Sequence, residues 1–196
     1  MVALIIVLAI VLLLVFWAVG AYKRLAGLRN LFKHAFSQID VQFKRRYDLV
    51  PNLVETAKGY MKHERETLEA VIAARNQAVS ANACAASDPT DSAAMQQMAS
   101  SEGALASSLG KMFVLSEAYP DLKANQNMLQ LTEELTSTEN RIAFARQAYN
   151  DGVMQYNTAL AQFPGSLLAD VLGFKLAETL PTNETLEERR PVKAGF

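Results

Sequence analysis

The chain opens on an uninterrupted apolar run: Val2 to Val19 carry no charge, and the first charged side chain is Lys23. As a helix, the stretch from Val2 to Tyr22 measures ~31 Å, the thickness of a bilayer's hydrocarbon core. Beyond it the pattern becomes amphipathic. Leu25, Leu28, Phe32, Phe36, Ile39, Phe43, Tyr47, Val50, Val54, Ala57, Met61, Arg65, Leu68 and Ile72 recur at about 3.6 residues, the period of an α-helix with one buried face. Arg65 is the one polar member. The phase crosses Pro51 unchanged, which predicts a kink there, with Asp48 capping the restarted helix. The pattern predicts one helix from the membrane to about Ala86.

Two further long helices follow. Ser87-Asp88-Pro89-Thr90-Asp91 reads as a turn with a new N-cap. It opens a helix over 91–118 whose Met95, Met98, Leu105, Leu109, Met112 and Phe113 share a face. Tyr119-Pro120-Asp121 breaks it. The next helix runs to about Gln162, with Met128, Leu131, Leu135, Thr138, Ile142, Ala145, Tyr149, Gly152, Tyr156, Leu160 and Phe163 spaced at about 3.5 residues, a heptad that favours a left-handed supercoil. Pro164-Gly165 ends it, and a short helix over 166–173 follows. There is no alternating strand pattern and no internal repeat. Short turns between long helices make neighbours antiparallel. The fold class expected is therefore all-α. A transmembrane helix (1–22) continues into an elongated antiparallel bundle of three to four helices (23–173), and an extended, partly ordered tail (174–196) follows.

Charge orients this arrangement. Lys23, Arg24, Arg29 and Lys33 follow the apolar run and none precede it. Cationic flanks stay on the cytoplasmic side, so the bundle is expected in the cytoplasm and the N-terminus outside. The same four side chains are the candidate contacts for anionic lipid headgroups. A cleaved signal peptide is the rival reading, with Ala18-Val19-Gly20 as the small residues of a cleavage site. The missing basic n-region, the adjacent Trp17 and the length of the run argue against it. Cys84, the single cysteine, also argues against an N-terminal lipoprotein.

Composition narrows the function classes. Hydrophobic residues make up 51% and charged residues 20% of the 196, which excludes a disordered or fibrous chain. One Cys excludes a disulfide scaffold, and Cys84 reads as a small packing residue. His63-Glu64-Arg65-Glu66-Thr67 begins like a zinc-protease motif but has Thr67 where the second His belongs, and His34 stands alone. No phosphate-cradling glycine loop or nucleophile elbow occurs. No enzyme activity, metal, cofactor or small-molecule substrate is expected. Asn183-Glu184-Thr185 matches the glycosylation triplet by chance. A net charge of −1 argues against a nucleic-acid partner. The charge is uneven, however: Lys23 to Arg75 holds 11 Lys/Arg against 6 Asp/Glu, and the remainder 8 against 14. The basic half either faces headgroups or pairs with acidic helices.

One polar cluster breaks the pattern. Gln38, Asp40, Arg45, Arg46, Asp48, Asn52 and Glu55 crowd around Pro51, and the last long helix offers Asn140, Arg141, Arg146 and Asn150. Pro51 has no N–H, so the Tyr47 carbonyl loses its helical donor and needs another if buried. The cluster is either an inter-helix network that fixes register or a partner-docking surface.

Several segments together resemble the bacterial LemA family. They are Leu28-Arg29-Asn30, Ser37-Gln38-Ile39-Asp40-Val41, Lys44-Arg45-Arg46-Tyr47-Asp48-Leu49-Val50-Pro51-Asn52-Leu53-Val54-Glu55, Gly59-Tyr60, Ala70 to Arg75, Ala145-Arg146-Gln147-Ala148-Tyr149-Asn150, the region of Asn157, and Phe163-Pro164. The resemblance implies a single-pass protein of the bacterial inner membrane with a cytoplasmic helical domain and no assigned activity or cofactor. The expectation is a membrane-anchored, non-enzymatic scaffold that touches lipid and self-associates into a homo-oligomer. The alternative is a regulatory or adaptor partner of another membrane protein, such as a protease or sensor.

Overall fold

A computed structural model describes residues 2–181, and every regular element among them is helical. Helix α1 spans Val2–Lys58, α2 Arg65–Ser87, α3 Ser92–Ser116, α4 Pro120–Lys123, α5 Gln126–Ala161 and α6 Gly165–Leu172. With 57 residues, α1 is roughly 85 Å long. Its apolar start stands clear of other protein, and a buried stripe begins at Leu25 and runs through Phe32, Phe36, Ile39, Phe43, Tyr47 and Val50 to Ala57. Helix α5 packs antiparallel along that stripe, bringing Phe32 to Tyr149 and Tyr156, and Arg46 to Glu139. Helix α2 returns antiparallel on another side, bringing Tyr47 to Ala78 and Lys33 to Asp88, and α3 packs on α2. The fold is the expected all-α bundle, with four long helices among the described residues.

The single helix predicted to reach Ala86 is not found. Helix α1 continues through Pro51, so Asp48 caps no restart, and it stops at Lys58. The amides of Tyr60 and Met61 both donate to the Ala57 carbonyl (3.0 and 2.8 Å), closing the last turn at Gly59. Fully buried Met61 plugs the bend, and Leu68 and Val71 resume the apolar face on α2. Met61 and Leu68 fall in helical phase with Ala57 although the chain reverses between them, which is why the stripe read as continuous. Arg65 lies at the exposed start of α2, not in a stripe.

The other boundaries follow local chemistry. The Asp91 side chain accepts from the amides of Ala93 and Ala94 and caps α3. Asn125 accepts from Met128 N at 3.1 Å and splits the long helix expected from 121 into α4 and α5. Phe163, expected as the last stripe member, lies past α5 and is 70% exposed. Cys84, expected in the packing, is exposed. Gly152 faces α1 so closely that a β-carbon there would lie 3.2 Å from Phe32 Cβ and 3.3 Å from its Cα.

After α6, residues 174–181 form an extended strap along α5. Phe174, Ala177 and Leu180 are buried at every third position. Asn157 exchanges two hydrogen bonds with the backbone of Ala177 (2.9 Å each), and Asn150 two with that of Leu180 (2.8 Å each). The hydroxyls of Tyr149 and Tyr156 donate to the carbonyls of Glu178 and Lys175, both at 2.9 Å. The Glu178 carboxylate accepts from Ser92 and Gln96, tying the strap to α3. Residues 182–196, with the Asn183 triplet and the rest of the expected tail, lie outside the described residues.

Three outcomes are expected. Gly103→Ala and Gly110→Ala, where a β-carbon meets nothing within 4 Å, raise stability by about 0.5–1 kcal/mol each in thermal melts of the detergent-solubilised chain. Gly152→Leu lowers it by about 1–3 kcal/mol through forced helix separation. In addition, Asn157→Ala removes two strap bonds, worth about 1–2 kcal/mol together. Trypsin then cuts after exposed Lys175 on the order of ten-fold faster than in the wild type.

Candidate functional site

The polar cluster is built on Arg46, one helical step from the Phe43–Tyr47–Val50 face of α1. Its side chain is 2% exposed. The guanidinium lies 5.2 Å above the Phe43 ring, Nη1 donates to Glu139 Oε1 of α5 at 2.8 Å, and Nη2 pairs with Glu102 Oε2 of α3. The Tyr47 hydroxyl donates to the other oxygen of Glu102 and lies 3.3 Å from the Ala78 carbonyl. Burial pushes the Tyr47 phenol well above its ordinary pKa, so it stays a neutral donor. One arginine therefore ties α1 to α3 and α5 at mid-bundle. Charges this deep persist because they are paired and hydrogen-bonded.

The Tyr47 carbonyl, freed by Pro51, has its substitute donor: Arg75 Nε of α2 lies 3.1 Å away. The donor comes from α2 rather than from the polar residues that the last long helix offers. Asp40 accepts from Asn82 of α2 at 2.6 Å and pairs with Lys44 at 2.7 Å.

The structure gathers only some of the residues singled out in the sequence. Asp40 and Arg46 face other helices. Arg146 is largely buried, and desolvation, reinforced by Arg46, lowers its pKa. Its Nη1 donates to the Pro181 carbonyl at 3.2 Å. Asn150 holds the strap rather than the Pro51 region. Gln38, Arg45, Asp48, Asn52, Glu55, Asn140 and Arg141 are exposed, with Glu55 paired to Lys58. Glu102, Glu139, Arg75 and Asn82 escaped notice. Glu102 carried a signal, because it occupies a core position in the Met95–Met98–Leu105–Leu109–Met112 series.

The basic segment divides likewise. Lys23 and Arg24 are exposed beside the apolar run. Arg29 lies 6.0 Å from the centre of the Phe174 ring, and Lys33 reaches Asp88 at 3.1 Å. Thr90 and Lys33, both bonded to the Asp88 carboxyl, hold its pKa down to about 2. No group of three or more His, Cys, Asp or Glu among the described residues is placed to hold a metal. The Arg46 cluster joins fixed charges and shows no nucleophile with an adjacent base.

The apolar start of α1 contains an 18-residue window of mean hydropathy 3.4, none of it buried, and is long enough to cross a membrane. The LemA family matches over residues 35–196. The chain belongs to the LemA family. Among curated relatives, the magnetosome protein MamQ of Magnetospirillum gryphiswaldense is 28% identical over 45% of this chain and 32% of its own length. MamQ 2 of Paramagnetospirillum magneticum is 31% identical over 39% of this chain and 28% of its own length. Protein LemA of Metamycoplasma hominis is 25% identical over 79% of this chain and 66% of its own length. The match thus spans about a third of the magnetosome proteins. This LemA-family chain is a membrane-associated helical protein.

The Arg46 cluster makes a quantitative prediction. Glu102→Leu leaves Arg46 buried with one partner and costs about 3–5 kcal/mol in urea unfolding, whereas Arg46→Met combined with Glu102→Leu recovers most of that loss. Additive losses in the two single variants and the double variant contradict a coupled pair.

Proposed function

We propose that this protein is a non-enzymatic scaffold of the bacterial inner membrane, with its N-terminus outside and its helical bundle in the cytoplasm. The observation that carries the reading is the continuity of α1. One helix passes from an unburied apolar segment into the centre of the bundle without a hinge, so the bundle stands at a set distance from the bilayer. The cations that follow the apolar run, Lys23, Arg24, Arg29 and Lys33, support the orientation. Two relatives are named for a cellular structure rather than a reaction, which supports a non-catalytic role. Copies of the chain associate through apolar side chains the bundle leaves outside, among them Leu31 and Val41 of α1 and Phe144 and Met154 of α5.

A second reading, an adaptor for another membrane protein such as a protease or sensor, draws on a groove of about 800 Å³ at the far end of the bundle. Phe113, Leu122, Met128 and Leu129 line it.

Chromatography with light scattering in mild detergent is expected to return a defined multimer, and Phe144→Glu with Met154→Glu to reduce it to monomer. A wild-type monomer overturns the scaffold reading. If Leu129→Glu then abolishes stoichiometric co-purification of one membrane protein from cells, the adaptor reading replaces it. A reporter fused after Phe196 is expected to be active only in the cytoplasm.

A further inference from the structure

The corner where α5 gives way to α6 sits beside the apolar part of α1. The Phe163 ring packs on Trp17 with centroids 5.2 Å apart. A groove of about 490 Å³ there is shared by Leu13, Phe16 and Trp17 with Gln162, Phe163 and Pro164. Trp17 precedes Lys23 by six residues and Leu13 by ten, which is ~9 and ~15 Å along the helix. A helix crossing the bilayer up to Tyr22 therefore carries this corner below the level of its own cations.

The corner's surface matches that depth. Phe163 is 70% exposed and Leu167 63%. These are large apolar groups that the bundle leaves uncovered, and they continue the unburied apolar surface of α1. Cations lie along the same end: Arg24 lines the groove, and Arg29 and exposed Lys175 flank Phe174. Apolar side chains below and cations above make the profile of a helix lying in the headgroup–acyl boundary. The bend itself is tight: a β-carbon at Gly165 would lie 2.1 Å from the Ala159 carbonyl oxygen, so no other residue fits without shifting the backbone.

The geometry points to a second membrane-embedded element: the Phe163–Leu172 corner inserts into the cytoplasmic leaflet beside the transmembrane helix, and its ligand is bilayer lipid. This inference rests on α1 spanning the membrane. A second insertion sets which face of the bundle leans toward the bilayer, a tilt that a lone spanning helix leaves free.

Trp17 is the chain's one tryptophan, so single-Trp variants report depth. The full-length protein is reconstituted in phosphatidylethanolamine–phosphatidylglycerol vesicles containing phosphatidylcholine brominated high on its acyl chains. Three proteins are compared: the wild type, Trp17→Phe with Phe163→Trp, and Trp17→Phe with Phe144→Trp. The Phe163→Trp protein is expected to show blue-shifted emission and to lose most of it to the brominated lipid, as wild-type Trp17 does, while the Phe144→Trp protein keeps its emission. Trp17→Phe with Leu167→Trp reads the same surface should the first variant lose its circular-dichroism spectrum. Quenching of Trp17 without quenching at either corner position overturns the inference and leaves the spanning helix standing. Absence of quenching at Trp17 as well overturns the spanning reading with it.

Discussion

The structure depends on one helix serving two surroundings. Helix α1 starts with apolar side chains on every side and acquires a single buried stripe at Leu25, with no break in its backbone ladder between. A hydrogen-bonded helix can pass from lipid to water without exposing an unpaired amide, which a loop at that boundary cannot do. The other helices are then placed by what α1 leaves uncovered. Helices α5 and α2 take two sides of its stripe, and α3 reaches it through Glu102. The bundle's two ends also become unlike. One gathers the α2–α3 turn at Lys33, the α5–α6 corner and the start of the strap. The other carries the α1–α2 bend, closed over α4 and α5 by Tyr119–Glu64 and Asn125–Tyr60 hydrogen bonds.

Long helices with Ala, Ser and Met interfaces slide easily, because many registers bury similar apolar area. The Arg46 cluster penalises those alternatives. A shift of α3 or α5 by one turn, ~5 Å, separates Arg46 from Glu102 or Glu139 and strands a charge in the interior, which costs several kcal/mol. The strap acts by the same logic in neutral form. Asn150 and Asn157 stand seven residues apart, two helical turns, and meet backbone groups of Leu180 and Ala177, three residues apart in extended chain. Both spans are ~10 Å, so the amides seat the strap in one register.

How far the sequence foretold this depends on whether a feature is local. The apolar run, the N-cap at Asp91 and the faces of α3 and α5 were legible, because hydrophobic period and capping chemistry act within a few residues. The reversal after Lys58 was not, since Met61 is buried in the bend and preserves the phase that a reversal normally breaks. Lys58-Gly59, a cation followed by glycine, was the stop signal there. The need for a donor to the Tyr47 carbonyl follows from Pro51 alone, but that Arg75 supplies it follows from the reversal. That Asn150 holds the strap was hidden for a similar reason. Its true partner is backbone, and a three-residue period such as Phe174, Ala177 and Leu180 resembles neither helix nor strand.

The strap also links the α5–α6 corner to the Arg46 cluster. It starts at Phe174, against Arg29 and Tyr22 of α1, and runs along α5 to the carbonyl of Pro181, beside Arg146 and thus next to the Arg46 cluster. Any movement of α6 relative to α1 is therefore transmitted to Tyr156, Asn157, Tyr149 and Asn150 in turn, through bonds of 2.8–2.9 Å. With the corner seated in lipid as proposed, the strap makes the attitude of the corner and the register of the helices a single mechanical variable.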